Sequence, residues 1–205
     1  MPHAVVRIYP EAGPLTGILR ERKDEVRGIM TSVPGFNFYG IMDTGSGIVS
    51  LTVCDSQEGT DESIARAAEW IMTNSPADFK IDPPQILQGE PVVRFQAENL
   101  PEDAQGAHVA LRVFDAPAPP GLADRADAIR EFMSAMPGFR SYWAIATANG
   151  GVSIISGDDK ASVDAIGERM REFITTTYPE VQPRPVAQLI EGTALFRAAA
   201  QATPA

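Results

Sequence analysis

Arginines at matching positions of two segments are the first candidates for a binding site. Arg7 and Arg112 lie in the β-branched segments HAVVRIY and HVALRVF. Arg94 and Arg197 are a second pair of equivalent arginines, later in the chain. If first and last strands are antiparallel neighbours, Arg7 lies beside Arg94 and Arg112 beside Arg197. Because a guanidinium group contacts carboxylates in a bidentate manner, each pair predicts an anion clamp. The alternative is a structural ion pair with an aspartate: Asp43, Asp55 or Asp158.

Two tyrosines at equivalent positions are candidates for catalysis. A phenol such as Tyr39 or Tyr142 donates a hydrogen bond to a quinone oxygen or acts as an acid. The alternative is a tyrosine that only packs in a half-buried strand and satisfies its hydroxyl.

The neighbouring positions differ between the two segments. Gly40 stands where the second segment has Trp143, and strand alternation places both on the face opposite the tyrosines. This exchange predicts a wider cavity near Gly40, with Trp70 and Asn37 as further wall residues. A void in the core is the alternative.

Histidine and cysteine offer little metal or nucleophile chemistry. His3 and His108 lie at equivalent places, but no carboxylate or cysteine accompanies both at a fixed spacing. Zinc sites use three or four protein ligands, so we expect surface histidines and no metal. Cys54 is the single cysteine, which excludes an intramolecular disulfide and predicts a small core residue.

The charge balance limits the partners. Lys+Arg total 17 against Asp+Glu 27, a formal net charge of -10. This disfavours binding to nucleic acid or to anionic lipid, since both need a basic surface. There is no apolar run long enough to span a membrane and no basic, apolar leader at the N-terminus. We therefore expect a cytoplasmic protein.

The chain consists of two copies of one unit. Residues 34–55 and 137–158 align at an offset of 103 with nine of 22 positions identical, and the segments that start the copies align at an offset of 105. This repeat predicts the following organisation: a first repeat over 1–97, a linker over 98–106, a second repeat over 107–198 and a flexible tail over 199–205.

Each copy has the same predicted order of elements. A β-branched segment, predicted to be a strand, comes first. Apolar residues at i, i+3 and i+4 spacing then predict a helix, which ends at Pro-Gly. Two strands joined by a Gly-rich turn, a second helix and a last strand follow. The order β-α-β-β-α-β is that of a ferredoxin-like unit. We expect an α+β fold in which two tandem ferredoxin-like units form a pseudo-dimeric α/β barrel.

The segment PGFNFYGIMDTGSGIVSLTVCDSQEGTDESIARAAEWI and its second copy resemble the antibiotic-biosynthesis-monooxygenase-like families of the dimeric α/β-barrel superfamily. The resemblance implies a cofactor-independent oxygenase for small aromatic or quinone-like compounds. It implies a site in the first half, where Trp70, Tyr39 and Asn37 orient the substrate and polarise its oxygens. Haem-binding relatives use a helical histidine, which is missing here, so no cofactor is implied.

Three functions remain open from the sequence. The first is the oxygenase. The second is a non-catalytic module that binds or senses a small hydrophobic or acidic ligand, as the duplicated arginines suggest. The third is a purely structural barrel that fills its own interior. A small-molecule ligand is the expected partner, and the chain is either a monomeric pseudo-dimer or a homodimer.

Overall fold

Both repeats form the predicted order of elements in a computed structural model that describes residues 1–97, 105–182 and 184–200. Most of the expected linker, 98–104, and the expected tail from 201 lie outside the described residues. The first repeat comprises β1 (His3–Tyr9), α1 (Leu15–Glu21), α2 (Lys23–Thr31), β2 (Phe36–Asp43), β3 (Ile48–Cys54), α3 (Gln57–Asn74) and β4 (Gln85–Gln96). The second comprises β5 (His108–Phe114), a short 3-10 helix (Ala123–Arg125), α4 (Ala126–Ser134), β6 (Phe139–Thr147), β7 (Gly150–Gly157), α5 (Lys160–Thr177) and β8 (Gln188–Ala199).

Local chemistry explains where the helices begin and end. The Ser56 and Asp159 side chains cap α3 and α5 by accepting hydrogen bonds from backbone N–H groups of the first turn. Pro-Gly ends the helical segment before β2 and β6, where Gly35 and Gly138 have φ of 67° and 73°. Only glycine adopts such a φ at low cost. Both turns are therefore fixed by the sequence.

The strand register confirms the alignment of the repeats. Arg7 on β1 lies opposite Ser50 on β3, and Arg112 on β5 lies opposite Ser153 on β7. Hydrogen bonds join the strands in the order β1-β3-β2-β8-β5-β7-β6-β4, a closed barrel. The expected α+β class with tandem ferredoxin-like units is confirmed.

The compact units depart from the expected boundaries of 1–97 and 107–198. Unit 1 contains residues 1–88 and 194–200, and unit 2 contains residues 89–97 and 106–193. The difference arises because β4 and β8 are each 12 residues long and are divided between the units, β4 after Gln88 and β8 after Thr193. Each unit thus takes the C-terminal part of the other repeat's last strand.

Each unit has a core of its own that includes this exchanged strand. In unit 1, Phe196 is 1% exposed and packs with Tyr39, Met30 and Trp70. In unit 2, Val93 and Phe95 of β4 pack with residues of the second repeat, among them Phe139, Ile155 and Met170. No helix in the described parts of the chain is long and apolar enough to cross a membrane.

The exchange separates the arginines that the sequence paired. Arg94 lies in the part of β4 that belongs to unit 2, opposite Trp143 of β6, whereas Arg7 belongs to unit 1. Arg197 likewise belongs to unit 1 and Arg112 to unit 2. The expectation that each pair forms a clamp within one repeat was wrong, because it assigned the whole last strand to its own repeat.

Candidate functional site

Arg7 in unit 1 is buried and fully engaged by hydroxyl groups. It is 1% exposed, and its guanidinium donates to Ser50 Oγ at 3.2 Å, Ser63 Oγ at 3.1 Å and Thr52 Oγ1 at 2.6 Å. Burial without a carboxylate lowers its pKa, because the charged form loses hydration. Each guanidinium nitrogen already has an acceptor, so Arg7 is a structural cation in unit 1.

Tyr39 and Trp70 line one small cavity of unit 1. Its volume is about 30 Å³, which is space for about one water molecule. Burial raises the pKa of Tyr39 to about 12, although the charge of Arg7 opposes the shift. The Trp70 indole N–H donates to Glu25 Oε1 at 3.1 Å. This cavity is too small for an aromatic substrate.

Asn37 and Gly40 do not reach this cavity. Asn37 Nδ2 donates to Asp55 Oδ1 at 2.7 Å, and Arg140 makes the equivalent contact with Asp158 in unit 2, also at 2.7 Å. A Cβ on Gly40 would lie 3.1 Å from the Phe38 ring, so Phe38 fills the space that the sequence assigned to a pocket. The expectation of a wide cavity near Gly40 was therefore wrong.

Unit 2 contains the larger cavity. Its volume is about 190 Å³, and it lies between the helix-packed face of the sheet and α5. Most of its walls are apolar, and no described lining residue carries a carboxylate. The polar side chains that line it include Arg112, Tyr142, Ser153, Arg171, Thr175 and Arg184. Such a concave, apolar site with a few convergent polar groups is the usual form of a small-molecule site.

Smaller residues in the second copy open this cavity. At three lining positions the second copy has a smaller residue than the first at offset 103. Ala144 replaces Ile41, Gly151 replaces Ile48 and Gly167 replaces Ile64. Ile41 and Ile48 line the small cavity of unit 1, while the three small residues line the large cavity of unit 2. These exchanges were readable in the sequence, on the face opposite the exchange of Gly40 for Trp143.

Arg112 has lost the hydroxyl cage that surrounds Arg7. Ser153 remains, but Ile155 stands at the position of Thr52 and Ile166 at the position of Ser63. Its guanidinium lies against α5, where a Cβ on Gly167 would be 2.8 Å from Arg112 Nη2. Burial lowers the pKa of Arg112, and the charge of Arg171 lowers it further.

Two further arginines that the sequence analysis missed line the same cavity. Arg171 lies one helical turn after Gly167 on α5. Arg184 donates from Nη1 to the carbonyls of Ala116 at 2.9 Å and Pro117 at 3.1 Å, and its guanidinium carbon lies 4.2 Å from the centroid of the Phe114 ring. These contacts hold Arg184 in place. The first copy has no arginine at the position equivalent to Arg184.

Tyr142 lies within electrostatic reach of two of these cations. Burial raises the pKa of Tyr142, while the charges of Arg184 and Arg112 oppose that shift. The phenol is therefore a neutral hydrogen-bond donor at physiological pH. Together with the guanidinium groups it can bind and stabilise a negatively charged oxygen of a ligand.

The remaining candidates of the sequence lie away from both cavities. Arg94 is exposed on β4, and Arg197 on β8 lines neither cavity. His3 Nδ1 lies 2.6 Å from Thr60 Oγ1, and His108 Nε2 lies 3.4 Å from Glu191 Oε1. The described residues contain no cluster of three metal-ligating side chains.

Cys54 is buried, as expected for a core residue. Burial raises the pKa of its thiol to about 11, and the neighbouring Asp55 carboxylate contributes to the shift. Since the thiolate is the nucleophilic form, this thiol is unreactive at neutral pH.

Comparison with known proteins identifies the fold. No protein-family model matches the chain, and no curated protein matches its sequence at a significant level. Among solved structures, a protein from Fusobacterium nucleatum provisionally assigned as a monooxygenase has a TM-score of 0.65 at 12% identity, over 97% of this chain and 94% of that one.

Two other solved structures show the same fold. An anthrone oxidase-like protein has a TM-score of 0.57 at 14% identity, over 98% of this chain and 94% of that one. A variant of chlorite dismutase from Candidatus Nitrospira defluvii has a TM-score of 0.55 at 6% identity, over 94% and 90%. At these identities the likeness shows the fold, and the expected dimeric α/β-barrel fold is confirmed.

Proposed function

We propose that the cavity of unit 2 binds a small aromatic molecule with an ionisable hydroxyl group, and that the protein oxidises it with O₂ without a bound cofactor. The observation that carries the proposal is the lining of this cavity. Arg112, Arg171 and Arg184 reach an otherwise apolar space, and no described lining residue carries a carboxylate to neutralise them. Arg112 and Arg184 are half-buried and Arg171 is exposed, so the partial burial of the first two without a carboxylate partner favours an anionic ligand.

The size of the cavity fits a molecule of one or two rings. An engineered apolar cavity of about 150 Å³ in another protein binds benzene. The cavity here has about 190 Å³, and its lining includes Val186, which is exposed to solvent. The purely structural interpretation is disfavoured for unit 2, since its interior is not filled by its own side chains.

The cations give this cavity its chemistry. A guanidinium group near a bound phenol or enol stabilises its anion and lowers its pKa. The Tyr142 hydroxyl donates a hydrogen bond to a substrate oxygen, as the sequence predicted for this residue type. The electron-rich anion is the form that reduces O₂. One oxygen atom enters the ring as a carbonyl, the ring loses two hydrogens, and the second oxygen atom leaves as water.

The comparisons support this class of reaction. The names of two proteins with the same fold are those of a provisional monooxygenase and an anthrone oxidase-like protein. The resemblance of the repeated Pro-Gly-Phe segments to monooxygenase-like families agrees with them. For this chain the reaction is a proposal that rests on the cavity.

The experiment measures O₂ uptake with 1-naphthol, a two-ring phenol that gives a quinone and water with one O₂. We expect stoichiometric uptake and quinone formation by the wild type, and a loss of tenfold or more in Tyr142→Phe. Tyr39→Phe and Trp70→Phe are the matched controls in unit 1, and we expect them to keep full turnover. Loss of turnover in these controls with Tyr142→Phe unaffected would return the site to unit 1.

A binding module is the second candidate. No histidine, aspartate, glutamate or cysteine is found among the described residues that line the cavity, so the usual general bases are missing there. Binding of an aromatic acid without O₂ uptake for any probe would favour a non-catalytic ligand-binding role. If no probe binds and none causes O₂ uptake, both candidates are contradicted.

A further inference from the structure

Two separate groups of cations line the cavity of unit 2. At one end, Arg112 lies against Gly167 of α5, and Arg171 follows one turn later on the same helical face. Neither side chain makes a hydrogen bond or ion pair to any residue that the structure describes. The charges of Glu191 and Asp164 influence Arg112 from a longer distance. This end therefore has two guanidinium groups and no acceptor for them.

Arg184 defines the other end. Its Nη1 would lie 3.3 Å from a Cβ on Gly151 of β7. In the pairing of β5 with β7, Gly151 lies opposite Phe114 and Ser153 lies opposite Arg112. Since Gly151 and Ser153 are two residues apart on β7, the two ends are separated by about 7 Å along the strands. Tyr142 pairs with Ile155, two residues beyond Ser153 on the side away from Gly151, and it lies within electrostatic reach of both Arg112 and Arg184.

The two ends differ in what they can bind. Arg184 Nη1 already donates to two carbonyl oxygens, and its ring contact with Phe114 fixes its position. Its remaining donors suit a single oxygen atom. Arg112 and Arg171 have their donors free of described acceptors, which suits a group with two anionic oxygens.

We propose that the ligand is an aromatic hydroxy acid, with its carboxylate on Arg112 and Arg171 and its phenolic oxygen at the Arg184 end. This inference rests on the proposed function, because it assigns the ligand class of the same cavity. The small residues Ala144 and Gly151 leave the floor between the two ends flat enough for an aromatic ring. The carboxylate anchors the ring, and the hydroxyl is the group that ionises for oxidation.

The test compares three two-ring probes by isothermal titration calorimetry at neutral pH. The probe 6-hydroxy-2-naphthoate carries both groups at opposite ends, 2-naphthoate carries the acid alone and 2-naphthol carries the hydroxyl alone. A charge-assisted contact predicts that the hydroxy acid binds about tenfold to a hundredfold more tightly than 2-naphthol. Equal affinity for these two probes would overturn the inference and leave the proposed function standing.

Variants locate the carboxylate. We expect Arg171→Met and Arg112→Met each to remove most of the preference for the hydroxy acid over 2-naphthol, with little effect on 2-naphthol itself. Arg169→Met is the matched control, because Arg169 is an exposed arginine of the same helix that does not line the cavity. An unchanged preference in Arg171→Met and Arg112→Met would overturn the assignment. Failure of all three probes to bind the wild type would contradict the proposed function as well.

Discussion

Arg7 and Arg112 show how one residue type takes two roles in two copies of a unit. Arg7 is surrounded by three hydroxyl groups and is buried, while Arg112 keeps one hydroxyl neighbour and faces a cavity. The difference arises from the residues around the arginine and not from the arginine itself. A buried cation with an acceptor at each of its three nitrogens has a structural role, whereas one whose nitrogens have no described acceptor is suited to binding.

Alanine variants separate these roles. We expect Arg7→Ala to lower the free energy of unfolding by about 3 kcal/mol, because it leaves a void and removes the donor from three buried hydroxyl oxygens. Arg112→Ala is the matched variant, with an expected loss below about 1 kcal/mol, since its guanidinium borders an open cavity. Urea unfolding followed by circular dichroism measures both. Equal losses in the two variants would contradict the assignment of different roles.

The buried Tyr39 predicts a loss of stability at alkaline pH. Its pKa is raised from 10.0 to about 12 in the folded protein, so the unfolded state releases this proton first. The contribution is complete below pH 10 and is lost as the pH rises towards 12, with a size of about 2–3 kcal/mol. Tyr39→Phe removes this part of the dependence. Urea midpoints between pH 9 and 11.5 test it, and parallel curves for the two proteins would show that Tyr39 does not titrate as described.

At the residue scale, the sequence predicted some members of the site and missed others. Arg112 and Tyr142 were found because the repeat marks them as equivalent to Arg7 and Tyr39. Arg171 and Arg184 were missed, since neither has an arginine at its equivalent position. Only the packing of α5 and of the loop before β8 brings them to the cavity.

At the scale of elements, the cavity depends on three size exchanges between matching strands and helices. Large apolar residues of β2, β3 and α3 are replaced by small ones in β6, β7 and α5. The exchange of Gly40 for Trp143, from which a cavity near Gly40 was predicted, lies on the other face. A comparison of side-chain size along the helix-packed face would have indicated unit 2.

Reciprocal variants of one such pair test this explanation. Ala144→Ile adds a side chain into the cavity, so we expect binding of 6-hydroxy-2-naphthoate to weaken at least tenfold without loss of the fold. Ile41→Ala is the reverse change in unit 1, where Ile41 is 5% exposed. We expect it to cost about 2–5 kcal/mol of unfolding free energy. Unchanged binding in Ala144→Ile would place the ligand elsewhere.

The helices and turns were predictable because their signals are local. The predicted helical segment before β2 is divided at Arg22 into α1 and α2, where φ is -108° and ψ is 25°. The last strands were harder. The sequence indicated that each copy ends in a strand but did not give its length, whereas β4 and β8 each run for 12 residues. Their length and pairing depend on partners far along the chain, which no local pattern specifies.

At the scale of the whole molecule, the exchanged strands make each compact unit depend on both repeats. The core of unit 1 includes Leu195 and Phe196 from the end of the chain. A repeat in the sequence shows that two similar units exist. It does not show to which unit each part of a long strand belongs.

This dependence predicts that the first repeat alone is not a stable monomer. A fragment of residues 1–97 lacks Phe196, so we expect it to be unfolded or to associate with a second copy. Phe196→Ala in the full chain is the milder variant, with an expected loss of about 3–5 kcal/mol. Circular dichroism and sedimentation of the fragment measure this. A folded monomeric fragment would contradict the division into units.

The net charge of -10 is a property of the whole surface, whereas the cavity of unit 2 is cationic. The sequence excluded partners that need a basic surface, and a small anion needs only local cations. The overall composition therefore does not conflict with an acidic ligand.

The most direct measurement is a crystal structure of the protein with 6-hydroxy-2-naphthoate. We predict density for the probe in the cavity of unit 2, with its carboxylate at Arg112 and Arg171 and its hydroxyl at Arg184. Density for the probe in unit 1 beside Tyr39 and Trp70, or an empty cavity in unit 2 at a saturating probe concentration, would contradict the assignment of this cavity as the functional site.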